Sequence, residues 1–353
     1  MSASTRTVGL AAGVAATMAA SLLTMAGTAQ AKPDVIWEEP YVISMVETAT
    51  GTSDIVRNSS SDADSAAIVT TAAGTIDVPK NSSSRVTLTN DNNVQIGFNL
   101  PESGLVSKSK STAGTVAYVD SDNPVAPALQ PTTDGGVRAL VGVRNAAAPR
   151  KFNFKLHVPT GAMVMANETN GFDIVKPANG ADLDLKFTGE DGAVDPEINP
   201  RTEDVWEVVG HIDAPWAKDD NGLSVPTSYR MEGDTLVQEF QPTPSTVFPV
   251  VADPKVSFGR GVYIKFNKSE AKSVARYADA SALVVAACQK APSRVRNVPV
   301  RTICRGTLGY AASSIANTFK DAARSNRCVE LRVPYPSPIG IVIGHPAWKA
   351  YSC

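Results

Sequence analysis

Apolar and polar residues alternate over much of the middle of the chain, and the period changes near its end. Val94-Ile96-Phe98, Val137-Ala139-Val141-Val143, Phe152-Phe154-Leu156-Val158 and the stretch from Leu236 to Phe240 repeat every second residue. That spacing places side chains on one face of a strand. Clusters of Gly, Asn and Asp punctuate these segments at TNDNN, TDGG, NETNG, KDDNG and EGD, where turns are expected. No useful stretch of 3.6-residue period precedes residue 267, so residues 85–255 are expected to form an antiparallel β-sandwich or a curved sheet. The segment closes at Ala252-Asp253-Pro254, where proline holds Asp253 extended and ends the ladder.

After that point the pattern becomes helical. Asn267 with Glu270 three residues on is an Asn version of the capping box, and it opens a helix expected to run to Lys290, closed by Pro292. A second helix, from about Thr302 to Asn326, carries Cys304, Leu308, Ala311, Ala312, Ile315, Phe319, Ala322 and Ala323 on one stripe. Two short β segments follow, CVELRV and IGIVI, separated by PYPSP. Residues 256–353 therefore read as a small two-helix plus β-hairpin domain, and the chain as α+β. Residues 32–84, rich in Ser, Thr, Ala and Asp, bury little apolar surface and are expected to be a disordered leader. Residues 1–31 have the order of a secretory signal peptide: Arg6, an apolar run, then Ala29-Gln30-Ala31 with cleavage after Ala31. The mature chain has no segment of spanning length, so a secreted protein, free or loosely held at the cell wall, is expected.

Charge sharpens this division. The whole chain has a formal net charge of −2, yet residues 256–353 hold fifteen Lys and Arg against four carboxylates, and residues 32–255 hold seventeen against thirty-one. An acidic part is thus joined to a strongly basic one, which bears on partners rather than on fold. All four cysteines, Cys288, Cys304, Cys328 and Cys353, fall in the basic part. An even count in an exported region reads as two disulfides. The spacing lacks a C-x₂-C knuckle and brings only His345 nearby, so no metal is expected. Four cysteines allow three pairings. The expected one joins Cys288 to Cys304 across the loop between the helices, and Cys328 to Cys353 to pin the tail.

Several blocks are familiar as a set: APRKFNFKLHVPTGAMV, HIDAPWAKDDNGLSVPTSYRMEGDTLVQEF, FPVVADPKVSFGRGVYIKFNKSEAKSVA, and the four cysteine positions around CVELRVPYP. In these the chain resembles a class of secreted actinobacterial proteins of unassigned activity. The PVVADP block is also similar to a β-rich element of exported multi-domain proteins, some with toxin-like C-termini. The resemblance implies export and this architecture, and it carries no catalytic residues across.

Chemistry enters last. The three histidines, His157, His211 and His345, show neither H-E-x-x-H spacing nor a G-x-S-x-G elbow. Asp219, Asp220 and Asn221 lack the twelve-residue calcium loop and mark a hairpin turn instead. No cofactor is implied. Lys290, Arg294, Arg296, Arg301 and Arg305 crowd into the connection between the helices, and the planar guanidinium fork suits phosphate or carboxylate. The leading expectation is a non-enzymatic binding or effector protein whose basic C-terminal domain engages an anionic envelope polymer or lipid headgroup. Nucleic acid is a weaker candidate because the aromatic residues of this domain are scattered rather than interleaved with charge. The alternatives are a secreted toxin or antimicrobial protein masked by the acidic part, and an envelope hydrolase using His211 or His345.

Overall fold

Two antiparallel sheets packed face to face form the body of the protein, and a layer of helices continues the second face. The computed structural model describes residues 37–90, 93–101, 105, 110–178, 204–295, 298–336, 342 and 344–353. Ala29 and Ala31, at the expected cleavage site, and Arg296 of the arginine loop lie outside the described residues.

The smaller sheet has seven strands: β1 (Ser65–Thr71), β2 (Gly74–Pro79), β3 (Val86–Thr89), β4 (Gln95–Phe98), β8 (Lys151–His157), β14 (Thr235–Phe240) and β13 (Thr227–Glu232), in that spatial order. The larger has twelve. Its main path runs β12 (Ala217–Lys218), β15 (Val250–Ala252), β7 (Gly136–Val143), β16 (Lys255–Phe258), β11 (Val205–Ile212), β17 (Gly261–Phe266), β18 (Cys328–Pro334) and β19 (Ala347–Tyr351). Joined to this path are β5 (Val116–Ala117), β6 (Val125–Pro131), β9 (Met163–Ala166) and β10 (Phe172–Pro177). One core lies between the sheets and contains the alternating residues read from the sequence, among them Ile96, Phe98, Val137, Val141, Phe152, Phe154 and Leu236. Phe152 stacks on Phe240 across neighbouring strands, with ring centroids 6.0 Å apart.

The same face of the larger sheet is covered further along by helices. Val262, Ile264 and Phe266 of β17, and Val329, Leu331 and Val333 of β18, pack against a second core. Its helical side comes from α2 (Lys268–Ala275), α3 (Ala280–Gln289), α4 (Val300–Gly309) and α5 (Ala312–Arg324). The Asn267–Glu270 capping box is present at the start of α2. Each of the two expected helices is divided into two. Asp279 accepts from the backbone N–H of Ala282 and starts α3 as a new helix. A turn at Tyr310-Ala311 separates α4 from α5. Both disulfides form as expected, Cys288–Cys304 and Cys328–Cys353, with Cα–Cα distances of 5.7 and 6.0 Å. The C-terminal hairpin pairs CVELRV with Ala347–Tyr351; of IGIVI, only Val342 is among the described residues. The first bond clamps α3 to α4 while the second ties β18 to Cys353.

Two expectations about organisation require correction. The segment taken as a disordered leader carries α1 (Glu39–Thr50), β1 and β2. Trp37, Val42 and Val46 pack on Ala126, Ala128, Leu140 and Val251, on the sheet face opposite the sandwich core. A few apolar residues at helical spacing suffice because the sheet supplies the rest of that core. The boundary expected at residue 255 also falls inside the larger sheet: β16 begins at Lys255 and pairs with β7 and β11, and β17 joins β11 to β18. Val35–Cys353 is one compact unit. Asp253 helps to weld it, accepting from the Trp216 backbone N–H at 2.9 Å and from Gln238 Nε2 at 3.1 Å.

The packing of α1 makes a measurable difference. Trp37 is 1 % exposed, so Trp37→Ala should lower the unfolding free energy by about 3–5 kcal/mol in urea titration. A floppy leader would give a change within about 0.5 kcal/mol.

Candidate functional site

The arginine loop separates into buried and exposed parts. Lys290 was expected to face an anionic partner, and the structure corrects this: it is fully buried at the end of α3. Its Nζ lies 2.6 Å from Glu270 Oε2 and 3.0 Å from Asp204 Oδ2, and 5.2 Å from the Phe266 ring centroid. A lysine buried this deeply requires such pairing. Arg301, on the first turn of α4, folds back to donate from Nε and Nη2 to the Ala291 carbonyl at 3.2 and 3.0 Å. It braces the loop that the Cys288–Cys304 bond closes. Arg294 and Arg305 are exposed, and among the described residues neither has an ion-pair partner.

A second constellation was not anticipated, although it includes one of the three histidines. Strands β10, β11 and β16 run side by side, and the register places Asp173 opposite His211 and His211 opposite Ser257. These three side chains share the sheet face turned away from the two large cores. His211 Nδ1 is 2.5 Å from Asp173 Oδ1, and His211 Nε2 is 3.3 Å from Asp213 Oδ1. The second Asp173 oxygen accepts from Tyr263 Oη at 2.8 Å and from Arg332 Nε at 2.6 Å. Arg332 Nη1 donates to the His345 carbonyl at 2.7 Å, which pins the loop before β19 to the sheet. Gly344 permits this close approach, since a Cβ there would lie 2.3 Å from Arg332 Nη2.

These contacts set the charges. Burial alone would raise the Asp173 pKa, but the hydrogen bond from His211 and the Arg332 cation outweigh it and pull it down to about 2. Burial would push His211 down, yet the hydrogen bonds to Asp173 and Asp213 hold it up at about 9. At neutral pH, His211 is therefore an imidazolium between two carboxylates.

Above this network lies a cleft of about 330 Å³, lined in part by His211, Asp213, Lys255, Ser257 and His345. Asp134 contributes to the wall and is ion-paired with Lys255 at 2.5 Å. At Gly136, the next position in register beyond Ser257, a side chain would meet both Ser257 and Lys255 at 3.0 Å.

The row of Asp, His and Ser invites comparison with a nucleophilic triad. Its geometry differs. No hydrogen bond joins Ser257 to His211, whose Nε2 faces Asp213 instead. A charged imidazole has no lone pair with which to take a serine proton near neutral pH. His157 is remote from this site and is bonded to Asn99 at 2.6 Å, and His345 is exposed at the rim of the cleft. No local signal marks this constellation, because Asp173, His211, Tyr263 and Arg332 are brought together only by the assembly of strands.

Compared with protein-family models, curated proteins and solved structures, the chain matches none.

The His211 pKa fixes the sign of a pH effect. Because the folded value lies above the ordinary 6.5, its contribution to stability is complete below about pH 6.5 and is lost as pH rises through about 9. Between about pH 6 and about pH 9.5, the wild type should lose about 3 kcal/mol more unfolding free energy than His211→Gln, measured by urea titration.

Proposed function

We propose that the chain is exported with removal of residues 1–31 and acts outside the cell as a non-enzymatic binding protein. Its basic C-terminal segment engages an anionic envelope polymer or lipid headgroups. The two disulfides suit an oxidising compartment. Among the described residues, no helix is long and apolar enough to cross a membrane. The resemblance to secreted actinobacterial proteins agrees with export and leaves the activity open.

The observation that carries this reading is a division among the basic side chains. Carboxylates neutralise the inner ones: Glu270 and Asp204 hold Lys290, and Asp173 holds Arg332. Arg294 is left in solvent on the loop that the Cys288–Cys304 bond closes and Arg301 braces, and Arg305 on α4, one residue beyond Cys304. Holding guanidinium groups on a braced frame reduces the ordering cost of meeting an anion. Carboxylates pair with the inner cations and leave these two outward-facing, which favours binding over the masked-toxin alternative.

The test uses the full chain with phosphatidylglycerol-containing vesicles in one arm and lipoteichoic acid in the other, over roughly 50–300 mM salt. Binding in at least one arm should weaken as salt rises. Arg294→Gln/Arg305→Gln should reduce it by about tenfold or more with an unchanged thermal transition. Salt-insensitive binding, or equal binding by the variant, would sink the proposal.

A further inference from the structure

Arg332 is 3 % exposed, and two of its three guanidinium nitrogens are committed: Nε to Asp173 and Nη1 to the His345 carbonyl. The third, Nη2, is buried and has no hydrogen-bond partner among the described residues. A buried cationic donor left without an acceptor is costly, and native structures rarely leave one unfilled. Beside it is a hollow of about 10 Å³ lined by Asn167, Glu168, Thr169, His211, Arg332, Gly344 and His345, with the Glu168 side chain half exposed and 3.9 Å from Lys349 Nζ. Such a volume is of the order needed to seat one oxygen atom. Four of those residues, Thr169, His211, Gly344 and His345, also line the 330 Å³ cleft, so the hollow lies against the larger space.

The charge balance points the same way. Asp173 is wholly buried, and two cations, Arg332 and His211, crowd upon it. The other carboxylate on His211, Asp213, has a side chain 43 % exposed. Of the groups that are themselves buried, one carboxylate faces two cations, while Asp213 and Glu168 stand at the exposed rim; an acceptor at Nη2 would satisfy the one donor left over.

We propose that this cleft is a binding site for the carboxylate of a small organic acid, with one carboxylate oxygen seated in the hollow against Arg332 Nη2 and the rest of the ligand in the cleft. One free donor nitrogen and a one-oxygen hollow fit a carboxylate. A phosphate brings further charged oxygens, which would face Asp213 and the Asp134–Lys255 pair on the cleft wall. Peptide C-termini and sugar acids both carry the required group. The site is separate from Arg294 and Arg305, so it stands or falls independently of binding to anionic surfaces.

The experiment uses the full chain, titrated with N-acetylalanine and with glucuronate by calorimetry. N-acetylalanine amide and glucose serve as neutral controls, and inorganic phosphate as competitor. At least one acid should bind saturably, about tenfold or more tighter than its neutral counterpart. Which acid binds separates the peptide source from the sugar source. In the wild type, the arginine side-chain NMR signal of Arg332 should shift on binding. Arg332→Lys, which keeps a charge but cannot span the three acceptors, should abolish the binding while leaving that at Arg294 and Arg305 intact. Should this variant fail to fold, the NMR shift in the wild type decides alone. Equal binding of acid and neutral probes, no binding of either acid, an unmoved Arg332 signal, or equally tight phosphate binding would each overturn the assignment.

Discussion

The carboxylate of Asp173 fixes the polar face of the large sheet. It lies on β10 and receives hydrogen bonds from β11 through His211, from β17 through Tyr263 and from β18 through Arg332. Burying an ionised carboxylate without such donors is prohibitive; with them, removing any one partner strands a charge. Four strands are held in register by side chains as well as by the backbone ladder. The position of Arg332 follows from this bond, and through the His345 carbonyl so does the loop leading to the last strand. The cleft above the network inherits its floor from the same contacts.

A similar arrangement organises the helical layer. Glu270 caps the first turn of α2 by accepting from the Asn267 backbone N–H, and the same oxygen holds Lys290 at the end of α3. Asp204, just before β11, completes the pairing. The acidic and basic stretches of the sequence are thus segregated along the chain but interleaved in space. Asp204 and Asp173 from the acidic part reach Lys290 and Arg332 of the basic part, so the positive charge left at the surface is smaller than a residue count suggests. Arg294 and Arg305 belong to that remainder, the first on the cross-linked loop and the second on α4 beside Cys304.

Much of the fold was legible because it rests on local periodicity. Alternation at Val137–Val143 and Phe152–Val158 marked strands buried on one side, the Asn267–Glu270 pair marked a helix start, and the clustered cysteines marked two staples. The helix at Glu39–Thr50 was missed because its partner surface, Ala126, Ala128, Leu140 and Val251, lies far away in sequence. Lys290 was misassigned for a related reason. A lysine among arginines looks like part of a basic face until the fold places Glu270 and Asp204 within reach.

The sequence by itself determined the class of the protein: alternating strands, a helical segment with its own cap, two disulfides, and an uneven charge distribution. These follow from residue type at short spacing, where propensity and periodicity act. Tertiary structure alone decided that the two charged parts share one sheet, which cations are neutralised, and that Asp173, His211, Tyr263 and Arg332 form one network over a cleft. Those outcomes depend on which strands become neighbours, and the sheet brings together Asp173 and Arg332, 159 positions apart. No local pattern encodes such a contact, because its energy appears only when burial makes each charge require the other.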